Sequence, residues 1–266
     1  MSIRTVSELS TAVYKIINYE KATYLGNLDN YFTRAAMFGD PSTSGNSCAI
    51  TKETVATLLS NHGFNDVYLK TSGGSWSSSM RDQLSDGTLF FNYRGYLGMS
   101  GFTNSDVDNA SNGYKLPFAT VLTCGTGSFA EDQTCMSEKF FRAGSVSNPM
   151  GGVAAIGTAT WNTHTLFNNI VDMGLYHGLL ADQVETAGAC LVSGKLSLLN
   201  TYPDIPDELT GEMLKEMPAE VLDEFLDELR DTDEDSVTID SFLADGNFKT
   251  HDGFLTIHQR EGVIER

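Results

Sequence analysis

The chain has 266 residues, of which 41% are apolar and 20% are charged, and its formal net charge is −18. This composition is typical of a soluble globular protein, and the length suffices for one substantial domain with an appendage. An acidic chain repels nucleic acid and anionic lipid, and no apolar run approaches the roughly 18 residues of a membrane span, so we expect neither nucleic acid nor a membrane as a partner.

The predicted elements alternate between helices and short apolar strands. Leu9, Val13 and Ile17 recur at helical spacing and predict the first helix. Thr51 is the expected N-cap of the second helix, which Gly63 would end. In chain order, the elements are a helix over 6–21, a strand over 34–39, a helix over 51–62, a strand over 66–70, a helix over 78–85, strands over 88–93 and 118–123, a helix over 138–143, a strand over 152–156 and helices over 165–177 and 179–199. This alternation predicts an α/β fold, a mostly parallel sheet with helices on both faces.

The charge is distributed unevenly along the chain. Up to Thr201 there are 16 acidic and 12 basic residues, whereas from Tyr202 onward there are 19 acidic and 5 basic residues. We therefore predict a main domain over 1–201 and an acidic, partly helical C-terminal region over 202–266.

Metal sites are not expected from the sequence. The segment at 231–235 begins like a calcium loop, but Ser236 stands where that loop needs glycine and Phe242 where it needs glutamate. We expect weak calcium binding there at most, and no required cofactor. The four cysteines form no CxxC pair and have no zinc-ligand spacing.

The loops that leave the carboxyl ends of parallel strands form the ligand crevice of such a sheet. The predicted elements bring four features to that edge: Asp40, the loop at 95–98, Cys124 and the loop at 157–164. Cys124 directly follows a strand and precedes Gly125, which lets backbone N–H groups approach a bound carbonyl. A thiolate beside such donors suits acyl transfer. The alternative is a buried cysteine that serves only packing.

Six stretches bear on the identity of this site: 9–20, 34–41, 91–95, 118–129 with Cys124, 136–142 and 152–157. In this order they resemble the catalytic domain of the gingipain-type cysteine peptidases, over about residues 6–200. The resemblance implies a caspase-like fold, cysteine endopeptidase activity on peptides or proteins, and an extracellular or cell-surface location. It implies Cys124 as the nucleophile and an oxyanion hole or substrate site that involves Gly95 and Gly125. Met1 aligns inside the family's domain, so we expect an edge element or pro-region to be missing.

The histidine of that family is absent from its usual place. The family's loop reads tyrosine, any residue, glycine, histidine, glycine, whereas this chain has Tyr93, Arg94, Gly95 and Tyr96. A tyrosine with an ordinary pKa near ~10 cannot act as a base at neutral pH. Tyr96 is therefore expected to serve the oxyanion or substrate site and not proton transfer.

One of the five histidines is predicted to lie on the crevice side. His164 ends the loop after the fifth strand, and topology makes it the candidate for a substitute base. It could instead begin a helix, or form a wall of the substrate pocket with Trp161. The other four lie at helix ends or in the acidic region: His62, His177, His251 and His258.

Residues 125–130 also fit the G-x-G-x-x-A pattern of a dinucleotide-binding loop. Glu131 and Asp132 argue against it, because they would put negative charge where pyrophosphate binds.

Two functions stay open. One is a cysteine endopeptidase in which Cys124 attacks a peptide carbonyl, and the other is a pseudo-peptidase, a binding or structural module that keeps the crevice without the chemistry.

Overall fold

The computed structural model describes residues 3–22, 30–130, 133–161, 163–202, 249–251 and 254–256. Its main strands are β1 (Arg34–Gly39), β2 (Asp66–Lys70), β3 (Phe90–Arg94), β4 (Phe118–Val121) and β5 (Ala154–Gly157). They form one sheet in the order β2-β1-β3-β4-β5, and every pair is parallel. The predicted parallel α/β sheet is therefore confirmed.

Eight α-helices lie in the described part of the chain. They are α1 (Val6–Lys21), α2 (Pro41–Ser44), α3 (Ser47–Asn61), α4 (Trp76–Asp86), α5 (Asn104–Asp108), α6 (Met136–Arg142), α7 (Thr165–Leu180) and α8 (Ala187–Thr201). A short antiparallel pair, β6 (Lys249–His251) and β7 (Phe254–Thr256), lies near the C-terminus.

Two hydrophobic clusters cover the two faces of the sheet, because successive side chains of a strand point to opposite faces. Ala35 and Met37 of β1 pack in the cluster that also includes residues of α3, α7 and α8. Ala36 and Phe38 pack in the other cluster, with residues of α4, α5 and α6. The helices thus lie on both faces, as predicted.

The start of α3 differs from the prediction. Thr51 was expected to cap the helix, but α3 begins at Ser47 and Thr51 lies one turn inside it. The Thr51 hydroxyl donates a 2.7 Å hydrogen bond to the Ser47 carbonyl. A threonine inside a helix can make this bond to the preceding turn, so the residue type alone does not mark a helix start.

The break between α7 and α8 also lies elsewhere than predicted. The predicted helices over 165–177 and 179–199 place the break at Gly178, but α7 continues through it to Leu180 and α8 begins at Ala187. A Cβ at Gly178 would lie 2.6 Å from the Ser193 side chain on α8. This glycine therefore serves close packing between the two helices and does not end the first one.

The predicted boundary between the main domain and the acidic region stays a prediction. Most of that region, including the calcium-like segment at 231–242, lies outside the described residues.

Candidate active site

Cys124 lies at the carboxyl edge of the sheet, just beyond the end of β4. It pairs with Leu97 in an isolated parallel β-bridge, and the hydroxyl of Thr123 donates a 2.9 Å hydrogen bond to the Gly98 carbonyl. Since β4 lies between β3 and β5, the expected position of Cys124 is confirmed: it follows an interior parallel strand and lies beside the loop at 95–98. The residue is 9% exposed, so only a small part of it is open to a ligand.

The hydrogen-bond partner of the Cys124 sulfur is Thr163. The Cys124 Sγ lies 3.6 Å from the Thr163 hydroxyl oxygen and 3.7 Å from the Thr163 carbonyl oxygen. Nδ2 of Asn168, in the first turn of α7, donates a 2.7 Å hydrogen bond to the same hydroxyl oxygen. The loop after β5 therefore brings an oriented hydroxyl group to the sulfur.

His164 is the N-cap of α7. Its Nδ1 accepts a 3.2 Å hydrogen bond from the N–H of Leu166, and its ring packs 5.5 Å from the Phe167 ring, measured between centroids. Burial lowers the pKa of His164 below its ordinary value. Among the described contacts, His164 and Cys124 share no hydrogen bond. The substitute-base role stays a prediction, and in this structure it would require His164 to leave the cap.

Trp161 lies over Gly125, directly next to Cys124. Gly125 has a φ of +73°, and a Cβ there would lie 2.7 Å from the Trp161 ring. Both features require glycine at this position. The indole is 49% exposed, so it presents an aromatic surface beside the cysteine.

The backbone donors after Cys124 are already paired. The N–H of Gly125 donates to the Thr160 carbonyl and that of Gly127 to the Thr158 carbonyl, both at 2.9 Å. An oxyanion could use the Gly125 N–H only by displacing Thr160. These bonds also argue against the dinucleotide alternative, because the N–H groups that would face a pyrophosphate are bonded to the loop after β5 instead.

The loop that carries Tyr96 is held tightly at its start and is exposed further on. Gly95 lies against the Tyr93 phenol, with no room for a Cβ between them. Tyr96, at the position of the family's histidine, is 48% exposed, and Leu97 is 54% exposed. Tyr96 and Trp161 thus leave aromatic surface accessible on two loops that adjoin Cys124.

A hydrogen-bonded chain ties this loop to the end of β1. The Tyr93 hydroxyl and the Ser100 hydroxyl are 2.7 Å apart, and Ser100 in turn donates to the Asp40 carboxylate. Burial raises the pKa of Asp40, but hydrogen bonds from Ser100 and Ser42 outweigh it and leave that pKa below its ordinary value. Asp40 also caps the short helix α2, so it is a structural anchor of the crevice edge.

Arg94, the last residue of β3, is completely buried. Its Nε donates a 2.8 Å hydrogen bond to Asn169 Oδ1, and its Nη2 donates a 3.0 Å hydrogen bond to the Thr165 carbonyl. Gly95 follows Arg94 directly, and Thr165 opens α7. The guanidinium therefore connects the loop at 95–98 to the helix whose preceding residues contact Cys124.

A buried ion pair lies on the same face of the sheet. Lys52 of α3 pairs with Asp172 of α7, and both side chains are completely buried. Asn92 of β3 donates 2.7 Å hydrogen bonds to Asp172 and to the Thr120 hydroxyl. Burial lowers the pKa of Lys52 to about 8, although the attraction of Asp172 opposes this shift. These polar contacts fix α3 and α7 relative to β3 and β4.

Neither a metal centre nor a membrane helix is found in the described residues. Within them, no group of three or more histidine, cysteine, aspartate or glutamate residues is arranged to hold a metal ion. No helix in the same ranges is long and apolar enough to cross a membrane.

The sequence did not single out three residues that support the site: Thr163, Asn168 and Asn169. Thr163 and Asn168 flank the predicted helix start, so a capping pattern could have drawn attention to them. No local signal marks Asn169 as the partner of an arginine on a distant strand.

Comparisons with known proteins add the following similarities. A profile of Peptidase family C25 matches residues 1–221. No curated protein matches the chain. The solved structure of gingipain R, an Arg-specific cysteine proteinase, is 21% identical over 76% of this chain, with a TM-score of 0.66. A complex of the pro- and mature domains of RgpB from Porphyromonas gingivalis is 20% identical over 76% of this chain, with a TM-score of 0.67. A third structure, described only as a protease, is 22% identical over 79%, with a TM-score of 0.67.

These matches cover 49%, 50% and 50% of the solved chains, so this chain spans about half of their length. At such identities the likeness establishes the fold, and it is the caspase-like α/β fold that the resemblance implied.

Proposed function

Because the chain belongs to peptidase family C25, we propose that it is a cysteine endopeptidase whose nucleophile is Cys124. The observation that carries the proposal is the position of this cysteine, after an interior parallel strand and beside the loop at 95–98. That edge is where ligands bind in open parallel sheets. A peptide laid across it would meet the sulfur between two half-exposed aromatic side chains, Tyr96 and Trp161.

The reaction follows from the chemistry of a thiolate. The Cys124 sulfur attacks the peptide carbonyl carbon, and the C–N bond breaks as the amine leaves with a proton from solvent. Water then hydrolyses the thioester and restores the thiol. The developing oxyanion needs N–H donors, and the candidates are those of the loop at 95–98, whose Leu97 pairs with Cys124 through the backbone. The peptide packs against the Trp161 indole, which lies over Gly125.

A pseudo-peptidase is the second candidate, and two observations favour it. Tyr96 occupies the family's histidine position, and Nδ1 of His164 is committed to the N-terminus of α7. A free cysteine without a base partner is only a few per cent thiolate at pH 7. In this case the crevice would bind peptides without cleaving them.

Peptide cleavage by the purified, reduced protein distinguishes the two functions. We expect slow cleavage of a mixed peptide library, detected by mass spectrometry, and no cleavage by Cys124→Ala. Cys135→Ser is the matched control, because Cys135 is the N-cap of α6 and serine suits that position. Cleavage that survives in Cys124→Ala would exclude Cys124 as the nucleophile, and binding of peptides without cleavage would favour the pseudo-peptidase.

We propose that this activity requires no cofactor and that calcium binds weakly at most. Support comes from the sequence, in which the calcium-like segment lacks the glycine and the bidentate glutamate of a complete loop. Cleavage should persist in excess EDTA. Loss of activity in EDTA, with recovery on addition of calcium, would contradict the proposal.

We also propose, from the family resemblance, that the protein works outside the cell or on its surface. Fractionation of the producing cells, followed by immunodetection, tests this location. Detection only in the cytosol would contradict it.

A further inference from the structure

A peptidase at Cys124 needs something that favours the thiolate, since the family's histidine is replaced by Tyr96. The group that contacts the sulfur is the Thr163 hydroxyl, at 3.6 Å. A hydroxyl cannot remove a proton at neutral pH, but it can donate a hydrogen bond to a thiolate. Bonds to an ionised acceptor are roughly twice as strong as neutral ones.

The hydrogen bond from Asn168 sets the direction in which the Thr163 hydroxyl donates. Nδ2 of Asn168 donates to Thr163 Oγ1 at 2.7 Å, so it uses an acceptor position of the hydroxyl and leaves the hydroxyl hydrogen free. The sulfur of Cys124 is the neighbour available to receive that hydrogen. Asn168 is thus placed to hold the hydroxyl in the orientation that donates to sulfur.

The Thr163 carbonyl acts in the opposite sense. Its oxygen lies 3.7 Å from Sγ and accepts the S–H proton, which favours the neutral thiol. The S–H group is a weak donor, however, whereas a hydrogen bond to a thiolate is charge-assisted. The hydroxyl is therefore the part of Thr163 that can favour the thiolate.

We propose that Thr163 is a catalytic residue that stabilises the Cys124 thiolate by hydrogen bonding, and that Asn168 is the residue that positions its hydroxyl. This inference rests on the proposed function, because a thiolate matters only if Cys124 reacts with a substrate. His164 takes no part in it, since it caps α7.

Alkylation of Cys124 by iodoacetamide measures the thiolate, because the thiolate is the reacting form. The rate is followed for the Cys124 peptide by mass spectrometry as a function of pH. In Thr163→Val the midpoint of this profile should rise by about one pH unit, a tenfold smaller thiolate fraction, as expected for loss of one charge-assisted hydrogen bond. Thr163→Ser keeps the hydroxyl and should recover most of the shift.

Two further variants separate this role from a general effect of the substitution. Asn168→Leu, which adds no charge, should also raise the midpoint, because the Thr163 hydroxyl loses the donor that orients it towards the sulfur. Thr57→Val, at an exposed threonine whose hydroxyl bonds to Glu53 in α3, is the matched control and should leave the midpoint unchanged. An unchanged midpoint in Thr163→Val, or equal shifts in Thr163→Val and Thr163→Ser, would overturn the proposal.

Peptide cleavage is measured in parallel, so that the two proposals can fail separately. A shifted midpoint in a protein that cleaves no peptide would refute the proposed function and leave standing only the hydrogen bond from Thr163 to the Cys124 thiolate. Cleavage by wild type with an unshifted midpoint in Thr163→Val would refute the role of Thr163 and leave the proposed function standing.

Discussion

Nε of Arg94 donates a 2.8 Å hydrogen bond to Oδ1 of Asn169, which joins the last residue of β3 to the second turn of α7. The loop with Tyr96 follows that strand, and Thr163 and His164 precede that helix. One buried guanidinium therefore fixes both sides of the crevice next to Cys124.

We predict that Arg94→Met destabilises the protein by roughly 2–4 kcal/mol, because it removes two charge-assisted hydrogen bonds and leaves the buried Oδ1 of Asn169 with only a weak S–H donor, Cys48. Arg81→Met is the matched control. Arg81 pairs with Asp106, but half of its side chain is exposed, so its loss should cost under about 1 kcal/mol. Urea denaturation measures both. A similar loss in the free energy of unfolding for the two variants would show that the buried hydrogen bonds of Arg94 are not important for stability.

His164 should act as a pH-sensitive cap. Burial lowers its pKa in the folded state, so the unfolded chain binds the proton more tightly. The stability that His164 contributes is therefore present above its unfolded pKa near ~6.5 and is lost as pH falls through the lower folded value. His164→Asn keeps a capping acceptor without the titration. Its free energy of unfolding should match wild type within about 1 kcal/mol at neutral pH and fall less in acid, whereas His164→Ala should cost about 1 kcal/mol.

The same two variants test the base role of His164. If His164 only caps α7, His164→Asn should keep peptide cleavage, because asparagine can also cap a helix. If His164 is the base, His164→Asn should lose cleavage, because asparagine cannot accept the proton. Loss of cleavage in His164→Asn, in a protein of normal stability, would establish His164 as the substitute base.

Lys15 should be the main anchor of α1. Its buried Nζ lies within hydrogen-bonding distance, 2.8–3.3 Å, of four backbone carbonyl oxygens around the end of α6, which share its three hydrogens: those of Phe140, Phe141, Ala143 and Met150. Lys15→Met keeps the aliphatic stem but removes the ammonium donor from all four carbonyls, of which, among the described contacts, Phe140 alone keeps a second donor, the Gly152 N–H. We therefore expect a loss of roughly 2–4 kcal/mol in the free energy of unfolding. Lys21→Met, at the exposed end of the same helix, should change it by under about 0.5 kcal/mol. Equal effects would contradict the anchoring role.

Tyr96→His should increase the reactivity of Cys124. It places an imidazole at the family's histidine position, and nearly half of the Tyr96 side chain is exposed, so the substitution should change stability by under about 0.5 kcal/mol. Faster cleavage or faster alkylation at neutral pH is the expected result, measured against Tyr96→Phe. If Tyr96→His reacts no faster than Tyr96→Phe, the loop does not present residue 96 to the sulfur.

The sequence predicted the sheet and the position of Cys124 because both depend on local patterns. Short apolar runs mark β1 and β4, and a cysteine directly after a strand must lie at its carboxyl end. Two helix boundaries were predicted at the wrong residues. Thr51 lies inside α3, although a threonine often caps a helix. Gly178 packs against α8, although a glycine often ends a helix.

The partners of Cys124 could not be predicted in the same way. The contact with Thr163 depends on how the loop after β5 folds against the loop after β4. Backbone hydrogen bonds from Gly125 to Thr160 and from Gly127 to Thr158 fix that arrangement. Such bonds cannot be predicted from residue types.

The most direct test of the central claim is covalent trapping of Cys124 by a peptidyl acyloxymethyl ketone, which requires both a reactive thiolate and a peptide-binding crevice. The reduced protein is incubated with a small set of such peptides that differ in the side chain before the ketone, and the modified residue is located by mass spectrometry. The account predicts an adduct on Cys124 that forms faster with at least one peptide than with a ketone that lacks the peptide, and no adduct in Cys124→Ala. Labelling of Cys124 by iodoacetamide but by none of the peptidyl ketones would contradict it.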